Sequence, residues 1–209
     1  MRLCLAYGGV PHTNELPQEY FGKGWRDAKA DAPYGQLPLL HVETADGAST
    51  VLAQTPAICR YVASLAGLIP EDPLAQARAD ECFMAAEELG TINPIVNVFT
   101  GDAFAEKRAA FFDSLLPGKL ANIARRLGDG PFFCGENVSH ADFNMYHHLD
   151  NARSVEPSCL DAHPTLGQFL AAVEGIPAVR AYLDARPLAV DIGTKPMLVP
   201  REDQAEGKM

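Results

Sequence analysis

Residues 34–61 read YGQLPLLHVETADGASTVLAQTPAICRY, and this stretch decides the fold. A Gly-Gln-Leu-Pro turn, Gly35 to Pro38, feeds a short apolar strand from Leu37 to Val42. Asp46-Gly47 turns the chain into a second strand, Thr50 to Ala53. Two apolar runs joined through a Gly-containing loop predict a hairpin. The second strand leads straight into Gln54-Thr55-Pro56, where Thr55 offers a hydroxyl N-cap and Pro56 lacks an N–H that a first helical turn does not need. A helix is expected from Pro56 to about Ala66, with Ile58, Tyr61, Val62 and Leu65 on one face and Gly67 closing it. The free N–H groups of that helix start, together with its dipole, suit a carboxylate. Pro38 stands where proline is tolerated in a sheet and where a cis bond can aim a neighbouring N–H and C=O at a ligand. The segment is expected to form a peptide-binding edge.

Outward from this stretch, Leu3 to Val10 is apolar and ends in Gly8-Gly9, as the buried end of a helix would. Pro11 to Leu16 is expected to be a short edge strand, and Gln18 to Pro33 a loop carrying Trp25, the single tryptophan. Leu68 to Pro73 (LIPEDP) reads as a linker between domains spanning 1–67 and 74–187. Helices are expected over Leu74 to about Leu89 and Phe104 to Leu127, the latter bent near Pro117-Gly118. A further helix starts at Ser139, with Asp142 three residues on as a short version of a capping box and Val138 placed to staple onto Phe143. Pro164 to Glu174 and Pro177 to Ala185 complete a bundle, and the tail from Leu188 to Met209 (188–209) turns polar and is expected to end in disorder.

Composition narrows the function. The 209 residues are 47% hydrophobic and 21% charged, enough to bury a real core. A net charge of -10 argues against nucleic acid or an anionic membrane as main partner. No apolar run approaches the roughly 18 residues of a membrane span, and no basic segment precedes a signal core. Cys4, Cys59, Cys82, Cys134 and Cys159 are dispersed and odd in number, which reads as free thiols in a reducing, cytoplasmic compartment.

Gly35-Gln36-Leu37-Pro38-Leu39-Leu40, then Leu52-Ala53-Gln54-Thr55, then Ala57-Ile58-Cys59-Arg60-Tyr61 resemble the glutathione-binding half of the cytosolic glutathione transferases, the sigma-like, tyrosine-type class most of all. Three motifs in order at the right spacing are specific where one alone would be weak. The resemblance runs from Arg2 to about Pro187. It implies an α/β thioredoxin-like N-terminal domain, here incomplete, followed by an all-α helical C-terminal domain. It also implies a homodimer that joins the glutathione thiolate to a small electrophile, with glutathione as substrate and no cofactor. Ser139-His140-Ala141-Asp142-Phe143 resembles the family's helix-start motif, whose role is folding.

Each group of glutathione needs a partner of its own kind. Thr55 and its helix start suit the γ-glutamyl carboxylate, Gln54 can hold the same end by its side-chain amide, Gln36 is a second motif-borne glutathione-binding position, and Leu37 before Pro38 offers an edge to the cysteinyl backbone. Trp25 and Lys29 are similar to the family pair that takes the glycine carboxylate, and their spacing puts both on one helical face. In the family an acidic residue of the partner subunit reaches the glutathione ammonium. Glu88 is the match, with Asp80 earlier on the same helix. His140, His147 and His148 with Asp142 and Asp150 lack metal-ligand spacing, so no metal site is expected. Asn137-Val138-Ser139 means nothing as a glycosylation acceptor without a secretory signal.

The resembled family opens with a strand ending in the tyrosine that stabilises the thiolate, whereas MRLCLAYGGV matches the first helix. The strand and its activating residue are expected to be missing, Tyr7 lying on a different element, and no catalytic residue is assigned. A thiol with a pKa near 8.5 is mostly protonated at pH 7 and needs such a group. Loss of about five buried apolar residues at roughly 1.5–3 kcal/mol each approaches the whole stability of a domain. The first domain is therefore expected to be marginal, and the sequence to be that of a longer enzyme with an incomplete N-terminus. Alternative readings are a non-catalytic, ligand-binding or structural dimer and a glutathione-dependent isomerase.

Overall fold

The computed structural model describes residues 1–201. They form two compact units, one ending at Ile69 and the other beginning at Pro70.

In the first unit, α1 (Arg2–Tyr7) is followed by α2 (Pro17–Phe21), α3 (Trp25–Ala28), a turn of tight helix over Pro33–Gly35, strands β1 (Leu39–Glu43) and β2 (Ser49–Ala53), and α4 (Thr55–Leu65). The hairpin pairs antiparallel with Leu39 opposite Ala53 and Glu43 opposite Ser49. Its turn is tied by the Thr44 hydroxyl, which donates to the Asp46 carboxylate at 2.5 Å and contacts the Ala48 carbonyl oxygen at 2.9 Å. β1 begins after Pro38, which has no N–H to give to a ladder. α1 packs on α4 through Leu3, Cys4 and Leu5 and through Ile58, Cys59, Val62 and Ala63, all buried. The two helices meet most closely at Gly8, where a Cβ would lie 2.6 Å from both Cα and Cβ of Ala66.

Two expectations for this unit fail. Pro11 to Leu16 forms no strand, because a strand needs a neighbour and the described sheet here is β1 with β2 alone. Gln18 to Pro33 is not a plain loop but carries α2 and α3, helices of five and four residues separated by Gly22 and Gly24 and too short to show periodicity.

The second unit is a helical bundle around α9 (His140–Val155), which packs against α5 (Pro73–Glu87), α6 (Ile92–Asn97) and α10 (Pro164–Glu174). Phe143, Met145, Tyr146 and Leu149 of α9 are fully buried. Asp142 fixes its start by accepting from the Ser139 backbone N–H at 2.8 Å, the Ser139 hydroxyl at 2.7 Å and the Phe133 N–H at 2.8 Å. α7 (Gly101–Ala109) and α8 (Leu116–Leu127) are joined by a π-helical turn over Ala110–Leu115, in which the Leu116 N–H donates to Phe111 C=O. The distortion thus lies one turn before Pro117, which cannot donate back into the preceding turn, so the ladder shifts register ahead of it. Leu116, Leu120, Ile123 and Leu127 form the buried stripe of α8. The bundle ends with α11 (Pro177–Ala185).

No signal in the sequence announces α6, a helix of six residues. The first part of the tail carries a hairpin that the sequence does not announce, Leu188–Val190 (β3) pairing antiparallel with Met197–Val199 (β4). The Gly101 N–H donates to Gly193 C=O at 2.9 Å, pinning the tip of this hairpin to the start of α7. The disorder expected at the chain end falls on residues 202–209, outside the described residues.

Candidate functional site

Gln54 is the pivot of the first unit's polar edge. It caps α4 in place of Thr55, with φ 71° and ψ 115°, a backbone region that glutamine rarely adopts. Thr55 is therefore the first helical residue, and the expectation that it caps is corrected. The physical reason is the sharp turn out of β2: the chain reverses at Gln54, so the next residue already has helical geometry. The first N–H of α4 with a backbone partner is that of Ile58, which donates to Gln54 C=O at 3.0 Å. The N–H groups of Thr55 and Ala57 lie ahead of it at the helix mouth.

The reversal turns the Gln54 side chain toward Gln36, whose Oε1 accepts from Gln54 Nε2 at 3.2 Å. Both side chains are exposed. With that bond made, the side-chain Oε1 of Gln54 and the Nε2 N–H groups of Gln36 remain available, an acceptor and a donor side by side. Leu37 and Pro38 follow at the entry to β1, with a cis peptide between them and Leu37 42% exposed.

Tyr34 and Gly35 have φ 58° and 59°, and these consecutive left-handed residues make the turn that presents Gln36. A Cβ on Gly35 would lie 3.6 Å from Cγ and 3.7 Å from Cε of Lys29, so the lysine stem is laid along the glycine. The structure thereby brings Lys29, at the end of α3, beside the Gln36 segment. Trp25 opens α3, half-buried, its ring 6.3 Å from that of Phe21. Gly35 opens the Gly-Gln-Leu-Pro turn read from the sequence, whereas Tyr34, which shares its left-handed geometry, stands outside the expected site residues.

Glu88 belongs to the second unit, where it ends α5 and forms an ion pair with Lys119 of α8. Asp80 Oδ1 lies 3.3 Å from Nε2 of the buried His140. The acidic residues of α5 are thus engaged inside their own bundle. Of the groups that might activate a thiol, Cys4 is buried and its own pKa is pushed up to about 11, first by that burial. Tyr7 lies at the last position of α1. Among the described residues no group of three His, Cys, Asp or Glu side chains is arranged to hold a metal ion, and no helix is long and apolar enough to cross a membrane.

The architecture is a thioredoxin-like α/β domain followed by a helical domain, the C-terminal hairpin being an addition to the latter. The family described as "Glutathione S-transferase, C-terminal domain" matches residues 90–186. Over 185 residues the chain is 30% identical to "Glutathione S-transferase class-mu 26 kDa isozyme 1" of Fasciola hepatica, covering 88% of this chain and 80% of that protein. It is 29% identical over 194 residues to "Hematopoietic prostaglandin D synthase" of Gallus gallus, covering 89% of each. The solved structure "rat hPGDS complexed with a quinoline" superposes with a TM-score of 0.73 at 25% identity over 90% of both chains. The chain belongs to the glutathione S-transferase family. Mu-class names predominate among the curated relatives as a whole, so the sigma-like class expected from the motifs is not carried by them.

Proposed function

We propose that this chain binds glutathione along Gln36, Leu37, Gln54 and Thr55 and presents its thiol to a small electrophile. The observation that carries the reading is Gln54: its backbone is held at φ 71° with its amide bonded to Gln36, at the mouth of α4. Such a conformation costs on the order of 1–3 kcal/mol and persists only where the surroundings dictate it. An α-amino acid head group fits what it creates. The ammonium meets Oε1 of Gln54, and the carboxylate meets the Gln36 amide, the Thr55 hydroxyl and the open N–H groups of the helix start. The peptide then runs past Leu37, and its glycine carboxylate reaches Lys29 and Trp25. Glu88 of the partner subunit, released from Lys119, is the acid assigned to the ammonium in a homodimer.

The chemistry is attack of the glutathione sulfur on an electrophilic carbon, with the leaving group carrying away the electron pair and the thiol proton going to solvent. Binding and orientation are what the described residues contribute. Thiol activation is assigned to none of them. Addition of an upstream strand that ends in tyrosine is expected to raise conjugation of a chloronitrobenzene. Changing only that tyrosine to phenylalanine is expected to lower it about 10²-fold while glutathione binding survives. Equal rates with and without the added strand would defeat this account and turn attention to Cys4 and Tyr7. Isomerisation on the same site is a second reading, favoured by the likeness to hematopoietic prostaglandin D synthase.

A further inference from the structure

α3 is a four-residue helix, with Gly22 at φ 65° and Gly24 ahead of it. Helices much shorter than about 12 residues do not hold themselves in water. Ala28 and Ala32 are buried beneath the segment, which anchors one side of it. On the other side, Lys23 Nζ lies 2.6 Å from Asp31 Oδ2. This ion pair joins a residue two positions before the helix to one three positions past its end, so Trp25 and Lys29 both lie inside the closed segment. Side-chain exposures of 43% and 52% make the pair a weak contributor to global stability. Lys29, two residues from Asp31, has no ion-pair partner among the described residues.

We propose that the Lys23–Asp31 ion pair is a clasp that positions Lys29 for the glycine carboxylate of the bound tripeptide. Lys23 does this in two ways: it closes the segment, and it occupies the carboxylate that would otherwise compete for the Lys29 ammonium. The inference rests on the glutathione reading given above. It names Lys23 and Asp31 as positioning residues that touch no ligand themselves, acting through Lys29.

The test compares calorimetric affinities for glutathione and for γ-glutamylcysteine, which lacks the glycine carboxylate. Lys29→Gln is expected to abolish the preference for glutathione. Lys23→Gln leaves Asp31 bare beside Lys29 and is expected to weaken glutathione about 2–5-fold, with γ-glutamylcysteine unchanged. Lys23→Gln combined with Asp31→Asn removes the competing charge but leaves the segment open, and is expected to recover only part of that loss; full recovery would overturn the clasp. Equal weakening of both ligands by Lys23→Gln would mark the pair as merely structural and overturn the proposal. So would an unchanged glutathione affinity in Lys23→Gln while Lys29→Gln loses the preference. A preference untouched by Lys29→Gln would instead overturn the parent reading of the glycine end, and the clasp with it.

Discussion

Gly8→Ala tests how the first unit holds its site. Gly8 closes α1 with φ −81°, a conformation any residue adopts, so the substitution brings no backbone penalty. The new methyl would stand 2.6 Å from the Cα and the Cβ of Ala66, at the end of α4. Neither atom can rotate away. The two helices must part by roughly 1 Å to restore ordinary contact, which opens gaps around Cys4, Cys59 and Val62. Overpacking of this kind costs about 1–3 kcal/mol. In a unit of this size that lowers the melting temperature by about 5–20 °C. Trp25, the single tryptophan, belongs to the first unit, so its fluorescence follows that unit's unfolding. Gly24→Ala is the control, since it meets nothing within 4 Å and has φ −61°. A Gly8→Ala protein melting with the wild type would refute the close approach of α1 to α4.

In the second unit, Asp142→Ala strips three hydrogen bonds from the start of α9 and is expected to cost about 3 kcal/mol or more by chemical denaturation followed by circular dichroism. A loss under about 1 kcal/mol would mean that the box does not hold the helix. Glu87 gives a pH signature. The His148 ring, its Nε2 3.6 Å away, and the Asn144 amide at 2.8 Å hold its carboxyl below the ordinary value of 4.5, against burial that works the other way. A depressed folded-state pKa contributes stability above the unfolded pKa, and that contribution disappears as pH falls through the folded value. Glu87→Gln is therefore expected to cost about 1 kcal/mol at pH 7 and progressively less below pH 4.5. An equal cost at pH 7 and pH 3 would remove the ionic explanation. Light scattering is expected to show a dimer at micromolar concentration, and a monomer there would count against the role given to Glu88.

The parts of this molecule that were legible carry their punctuation locally. Asp46-Gly47 marked the hairpin turn, Thr55-Pro56 the start of α4 to within one residue, and Ser139 with Asp142 the start of α9. What escaped depends on partners distant in sequence or on elements too short to show a period. α3 is held by Lys23 with Asp31 and by buried alanines, none of which resembles a helix signal. The tail hairpin is fixed where Gly193 lies against Phe104 and Gly101, about ninety positions earlier in the chain, and polar composition hides such a contact. Pro11 to Leu16 shows the reverse error, an extended-looking segment with no strand beside it. At the site, motif order singled out Gln36 and Gln54 separately, and their hydrogen bond is a contact the motifs do not state. The left-handed turn at Tyr34 and Gly35 and the engagement of Glu88 by Lys119 are tertiary facts that spacing does not contain.

Calorimetric titration of glutathione into the wild-type chain, Gln54→Ala and Thr55→Ala tests the central claim most directly. The account predicts saturable binding by the wild type. Gln54→Ala is expected to weaken it by about 1.5–3 kcal/mol, the value of a hydrogen bond to a charged group, here the ammonium. Thr55→Ala is expected to cost about 1–3 kcal/mol, because a carboxylate loses a charge-assisted partner. A wild type that binds no glutathione at millimolar concentration, or binding unchanged in both variants, would contradict the assignment of this edge.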